Sequence, residues 1–241
     1  MQRLRPRPAT VDRIAAWVVS GRYAPGDTLP IEPAIGQELA VSRTVVREAL
    51  KALGAKGLVV TGPRLGTRVR PREEWNHFDQ DVVNWQLEAG VNEQFVHDLV
   101  ELRMLIEPAA ARIAATAATP EDMEACEAAY AAMVQATEGR GPYLQADLAF
   151  HRRLLVATHN QFVVGMAHVF SALLEVSFRL SVASLAGAKS SLPMHRRVLD
   201  AIIARDAANA EAAMLTLIRS ARSDLAGALR GDRPRKAAVP A

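Results

Sequence analysis

The 241-residue chain is half hydrophobic, holds a single cysteine (Cys126) and carries a net charge of +3. That length suits one large domain or two ordinary ones, and one cysteine excludes an internal disulfide framework and any multi-cysteine zinc site. No run reaches the roughly 20 apolar residues of a membrane helix; the most apolar, Phe162 to Leu185, is interrupted by Glu175 and Arg179. The opening Met-Gln-Arg-Leu-Arg-Pro-Arg-Pro is basic with no apolar core behind it, so no cleavable signal is expected and a soluble, cytoplasmic protein without a membrane partner is. The charge is uneven: residues 1–70 carry 12 Lys and Arg against 5 Asp and Glu, +7, and residues 71–241 carry 17 against 21, −4. A basic head on a mildly acidic body points to a nucleic-acid-binding segment on a separate domain; the competing reading is one globular protein with incidental asymmetry.

In chain order, Thr10 is placed to cap a helix with Val11, Ile14, Ala15 and Val18 as its apolar stripe, ended by Gly21 and the Pro25-Gly26-Asp27 turn. A short helix over 31–39 follows, with Pro33 tolerated in its first turn. Ser42 caps a third helix over 43–53, whose inward stripe is Val46, Ala49, Leu50 and Leu53. The runs Leu58-Val59-Val60 and Thr67-Arg68-Val69 then flank Gly62-Pro63-Arg64-Leu65-Gly66 as a hairpin. Three helices and a hairpin within residues 8–70 form the layout of a winged helix-turn-helix. Residues 71–92 read as a polar linker with a short helix over 79–88. Residues 93–229 are Ala-rich with helical spacing, enough for six or so helices in an antiparallel bundle. Thr119-Pro120-Glu121-Asp122 is a strong helix start, Asn160 can cap another, and a helix carrying His195 is expected to open at Pro193. The tail 230–241 lacks apolar periodicity and is expected to be disordered. The fold class is mainly α.

Ser42-Arg43-Thr44-Val45-Val46-Arg47 is the most informative stretch. Arg43 and Arg47 stand four apart on one helix face. Arginine is the residue type that pairs with guanine through two hydrogen bonds, and recognition helices present their N-terminal residues to the major groove. Thr44 can bind a phosphate or touch a thymine methyl. Arg64, with Gly66 and Thr67, could bring the wing to the backbone or the minor groove. The alternative is an amphipathic surface helix with two solvated arginines.

Tyr23-x-Pro25-Gly26-x-x-Leu29-Pro30-x-Glu32, Ser42-Arg43-Thr44-x-x-Arg47-Glu48-Ala49-Leu50-x-x-Leu53, Gly57-Leu58-Val59 and Gly66-Thr67-x-Val69 resemble the GntR-type winged-helix regulators. The resemblance implies a homodimeric transcription factor on double-stranded operator DNA and no enzymatic activity. The family usually has a DNA-anchoring arginine where this chain has Pro33, which concentrates contacts on Arg43, Arg47 and the wing.

Glu101-Leu102-Arg103-x-x-x-Glu107-Pro108-Ala109-Ala110 and Asp147-Leu148-Ala149-Phe150-His151 resemble the all-helical FCD effector and dimerisation domain of the family's FadR branch. That branch commonly holds a divalent metal on one Asp and three His beside a carboxylate effector. The resemblance implies Asp147, His151 and His195 as ligands for Zn²⁺ or another divalent ion; the fourth position is Leu217, so the set is incomplete. The same three residues could instead bind a polyhydroxy acid directly, and Asp-x-x-x-His alone is commonly a surface pair or a core contact. Arg103 is the candidate clamp for an effector carboxylate, in competition with an intrahelical pair to Glu107 or Glu101. Ser191, and Ser190 beside it, could hydrogen-bond sugar hydroxyls. His97, His159 and His168 read as structural.

Trp75-Asn76-x-x-Asp79-x-Asp81-Val82-x-x-Trp85 and Ala146-Asp147-x-x-x-His151-x-x-x-Leu155-x-x-x-His159-Asn160 resemble a sugar-acid-responsive group within that branch. This implies an aldonate such as galactonate as inducer of a repressor. The alternatives are a regulator responding to lactate, a uronate or a fatty-acid derivative; a metal-dependent enzyme acting on a sugar acid through Asp147, His151 and His195; and an architectural DNA-binding protein. No His-Glu-x-x-His motif supports zincin chemistry, and the lone Glu-x-x-His, Glu74 to His77, is not the pair that di-iron chemistry needs.

Overall fold

The structure, a computed structural model, describes residues 9–62, 65–90, 93–181 and 185–229; the side chains of 168, 169, 172, 176–181, 185, 186 and 223–229 lie outside that description. Arg64, the His168 side chain and the tail expected to be disordered therefore fall outside it. The chain divides into two compact units, Met1–Val91 and Asn92–Ala241. No helix among the described residues is long and apolar enough to cross a membrane.

The first unit holds α1 (Thr10–Val19), α2 (Glu32–Leu39), α3 (Arg43–Ala55), β1 (Val59–Gly62), β2 (Gly66–Val69) and α4 (Gln80–Ala89), with one 3-10 turn over Arg72–Glu74 before α4. Thr10 does not cap α1. It is the first helical residue, and the Ala9 N–H at the cap position donates to Asp12 Oδ2 (2.9 Å). A carboxylate in the first turn does the capping because it also favours the positive end of the helix. Ile14, Ala15 and Val18 of α1 meet Val46, Leu50 and Leu53 of α3 in one core. The α2–α3 turn is tight: Ala40 takes a left-handed conformation (φ 55°), and a Cβ on Gly36 would stand 2.9 Å from the Val41 carbonyl. Ser42 caps α3 as expected, its Oγ accepting from the Val45 N–H.

The strands pair antiparallel with Val59 opposite Val69 and Gly62 opposite Gly66. The α1–α2 connection lies along β2, with Leu29 N–H donating to Thr67 O (2.8 Å) and Val69 N–H to Asp27 O (2.9 Å). Period-two alternation turns Thr67 and Val69 inward and Arg68 outward.

Residues 71–90, read as a polar linker with a short helix, contribute to the core of the first unit. Trp75, Val82 and Trp85 are buried in the same core as α1 and α3. Trp85 Nε1–H donates to Asp12 Oδ1 (3.0 Å) and Trp75 Nε1–H to Arg70 O (3.1 Å). Asp79 caps α4 and pairs with Lys56 at the end of α3 (2.8 Å). Gly57 (φ +80°) allows this docking, since any Cβ there would strike the Glu74 carbonyl. The polar composition concealed an apolar strip of three large side chains, and burial of such a strip outweighs the entropy of leaving the segment loose.

The second unit contains α5 (Glu93–Ala117), α6 (Pro120–Thr137), α7 (Tyr143–Val156), α8 (Gln161–Ser181), α9 (Leu185–Ile203) and α10 (Ala207–Leu229). The expected all-helical bundle forms, with α10 packed along α5 and α9, α6 against α7 and α9, and α7 against α8. Ala110, Ala111, Ala114 and Ala115 on α5 are buried, and small side chains there let α10 lie close. Thr119 and Asp122 cap α6 reciprocally, and Asn160 Oδ1 accepts from the Phe162 N–H at the start of α8. The helix expected to open at Pro193 begins at Leu185 and runs through that proline. Packing overrides the preference of proline for a first turn, and the change sets Ser191 and His195 on one helix.

A candidate DNA-reading face and a buried polar centre

The reading face is built by α2 and α3. The apolar stripe of α3 fixes its rotation, so Arg43, Thr44 and Arg47 all stay on the exposed surface. Both arginines converge on Glu32 at the start of α2. Arg43 Nε donates to Oε2 (2.9 Å), while Arg47 donates from Nε to Oε1 (3.2 Å) and from Nη2 to Oε2 (3.1 Å). Hydrogen bonds from Arg47 and Arg43 hold the Glu32 carboxyl down at about 2. Gly66 keeps a positive φ of 69° at the wing turn. Thr67, expected to face DNA, is withdrawn: it is buried, and its hydroxyl shares a 3.0 Å hydrogen bond with Thr61 across the hairpin. Arg68, missed in the sequence, is the exposed side chain between the buried Thr67 and Val69; the alternation Thr-Arg-Val could have indicated it.

The second feature lies inside the helical unit. Asp147 and His151, one turn apart on α7, meet His195 from α9, and the three ligand atoms lie within 4.8 Å of one another. All three residues are 2% exposed. His195 Nδ1–H donates to the Ser191 carbonyl (2.9 Å), which leaves Nε2 as a bare acceptor. His151 Nδ1 is hydrogen-bonded to Glu107 Oε2, which turns its Nε2 toward Asp147 Oδ1 (3.7 Å). His195 Nε2 stands 2.9 Å from Asp147 Oδ1, yet these two buried atoms have no hydrogen-bond partner. Acceptors held together in this way fit a shared cation. Donors of a tetrahedral zinc site with normal bond lengths stand about 3.3 Å apart, and the observed separations bracket that value. Phe150 sets its ring edge-on to both imidazoles and walls the site with apolar surface. Leu217, at the family's fourth position, is buried in the core.

Arg103, the candidate carboxylate clamp, is 1% exposed, and its Nε donates to Glu107 Oε1 (2.7 Å), so the intrahelical pairing forms. Burial pushes the Glu107 carboxyl up, but Arg103 and His151 outweigh it and hold it at about 2. Burial likewise raises Asp147, and the histidines with Arg103 bring it below the ordinary carboxylate range. Arg103 and Glu107 thus form a buried ion pair that reaches His151 by hydrogen bond, behind Asp147 and His195. Glu107 was legible only as a possible partner of Arg103.

One helical turn before Asp147 and His195 stand Tyr143 and Ser191, whose hydroxyls meet at 2.6 Å. Ser191 Oγ donates to the Ala188 carbonyl (2.9 Å), so the tyrosine hydroxyl is the donor between the two. Burial and the nearby Asp147 charge raise the phenol, which stays neutral. Tyr143 carried no sequence signal, since its partner lies 48 residues away. Ser190 is exposed. His159 takes a left-handed turn and bonds Asp122 (2.6 Å), while His97 lies exposed beside Asp98 and Glu101.

Residues 7–69 match the bacterial regulatory proteins of the gntR family, and residues 98–220 match the FCD domain. The galactonate operon transcriptional repressor of Escherichia coli K12 is 35% identical over 204 residues, 84% of this chain and 89% of that one. The HTH-type transcriptional regulator LutR of Bacillus subtilis 168 is 33% identical over 219 residues, 87% of this chain and 96% of its own. Among solved structures, Lar, which controls the expression of the Listeria monocytogenes agr system, shares the fold with a TM-score of 0.60 at 16% identity, covering 95% of this chain and 99% of that one. The chain therefore belongs to the gntR family of bacterial regulatory proteins, in the FadR subfamily, as a DNA-binding transcriptional regulator whose helical unit is an FCD domain rather than an enzyme.

Proposed function

We propose that this protein is a homodimeric repressor of sugar-acid catabolism genes, released from a palindromic operator when an aldonate enters the helical unit beside a divalent metal. The observation that carries the reading is the convergence of Asp147, His151 and His195, where Asp147 Oδ1 and His195 Nε2 are buried without a hydrogen-bond partner, with the Tyr143–Ser191 hydroxyl pair one turn away. Similarity to a galactonate operon repressor points the ligand class toward sugar acids. Asp147, His151 and His195 would hold the ion, which supplies a positive centre for an effector carboxylate. Tyr143 and Ser191 would meet the effector's hydroxyls, and Arg103 holds Glu107 rather than the ligand. On the DNA side, Arg43 and Arg47 read base edges, Ser42 and Thr44 contact the backbone, and Arg68 replaces Thr67 as the wing contact. Two copies place two such helices about one helical turn apart on a palindrome.

Release requires the effector to bind the DNA-free arrangement more tightly, because a ligand with equal affinity for both states shifts nothing. The test uses the full chain and a duplex selected from a random library, in a mobility shift at fixed salt. Galactonate and related aldonates should weaken the complex, and EDTA should abolish their effect. Galactonate at about 100 times its Kd should also stabilise the free protein by about 2.7 kcal/mol. If no aldonate or uronate changes either readout, the reading fails.

A further inference from the structure

We propose that Glu32 is a positioning residue for base reading, clamping Arg43 and Arg47 so that the two guanidinium groups enter the major groove in one register. The proposal rests on α3 being the recognition helix. A guanidinium has two usable edges, one formed by Nε–H with Nη2–H and one by the terminal Nη groups. Arg47 gives Glu32 the first edge, through Nε and Nη2. Its terminal edge, which matches the O6 and N7 acceptors of guanine, is not consumed by that pairing. Arg43 commits only Nε to the same carboxylate. The clamp therefore spends the donors that base reading does not need and fixes the planes of those that it does.

The origin of the carboxylate is itself stiff. Glu32 is the first residue of α2, and Pro33 follows it with φ locked by the ring. Proline here removes a family anchor for the backbone but holds the glutamate at a constant angle to α3. The charge works in the same direction. Two arginines alone would bind any phosphate track, and one carboxylate between them lowers that pull. Glu32 therefore raises the ratio of specific to non-specific binding from both sides: it preorganises the readers and discourages indiscriminate contact.

The experiment compares wild-type full-length protein with Glu32→Gln, which keeps shape and loses charge. One probe is the best duplex selected from a random library by the wild type; the other is a random-sequence duplex of equal length. Glu32→Gln should bind the selected duplex more weakly and the random duplex more tightly, lowering their ratio roughly tenfold, with a steeper salt dependence on random DNA. Glu32→Asp, too short to span both guanidinium groups, should fall between. An unchanged ratio overturns the proposal, and so does a parallel loss on both duplexes with a lowered melting temperature. Arg43→Ala and Arg47→Ala run alongside. If they erode sequence preference while Glu32→Gln does not, α3 reads bases and only the clamp is wrong. If they leave preference intact, α3 is not the reading helix and the clamp falls with it.

Discussion

The head and the helical unit both contain an arginine paired with a glutamate, in opposite surroundings. On the head, the Arg43 and Arg47 side chains are 65% and 52% exposed, and Glu32 is 24% exposed. In the helical unit, Arg103 and Glu107 are 1% and 2% exposed. Exposed ion pairs add little to stability because water and salt screen them. The head's pair is therefore free to serve orientation, and its arginines keep exposed donors for an arriving DNA. The buried pair has no such freedom. Both charges have lost their hydration, so each depends on the other, and removal of one strands its partner in low dielectric. The same chemistry is an orienting device at the surface and a structural commitment in the core.

The largest expected effect follows from that commitment. Arg103→Met keeps the chain length but leaves Glu107 without its guanidinium, and should cost about 3–5 kcal/mol in urea unfolding of the full chain. A loss within the range of an exposed pair would erase the distinction between the two regions. Next, Glu107→Gln should lower Zn²⁺ affinity roughly 10–100-fold, measured by competition with a chromophoric chelator, because the partner that orients a metal-binding histidine tunes its affinity. Unchanged affinity would show that Arg103 and Glu107 serve stability alone.

Asp79 is an intermediate case, 24% exposed, with Lys56 21% exposed. Burial raises its carboxyl, but the hydrogen bonds from Lys56 and the α4 backbone outweigh this and bring it below the ordinary value. A depressed folded pKa stabilises the fold fully above the unfolded carboxylate range, and the contribution drains away as pH falls through the folded value. Asp79→Ala should thus cost about 1–2 kcal/mol at neutral pH, through the lost helix cap. The gap between variant and wild type should close on acidification, as followed by urea melts across the acid range; a constant gap would assign the loss to packing instead. The smallest effect is at the surface, where Glu32→Gln should leave the melting temperature of the head essentially unchanged while altering DNA preference.

Periodicity and local chemistry made much of this protein legible. The apolar stripe of α3, the Ser42 cap and the Thr119 capping box are interactions among residues three or four apart, which a chain expresses wherever it folds. They were enough for the winged head, the all-helical body and the exposed placement of Arg43 and Arg47. The Asp147–His151 pair was also legible, being one helical turn.

Other features depend on residues distant in sequence, and only the tertiary structure decided them. Trp75 and Trp85 pull the segment 71–90 onto the core of α1 and α3 because burying two indoles outweighs the polarity of their neighbours. The continuation of α9 through Pro193 brings Ser191 to Tyr143, a contact across 48 residues. Thr67 turns inward because strand alternation, not side-chain polarity, chooses its face. Arginine suits any carboxylate, and burial beside Glu107 on the same helix gives Arg103 that one. Sequence by itself determined which chemistries this protein owns, through short-range spacing. Long-range packing determined which of them face water, which face each other, and so which can act.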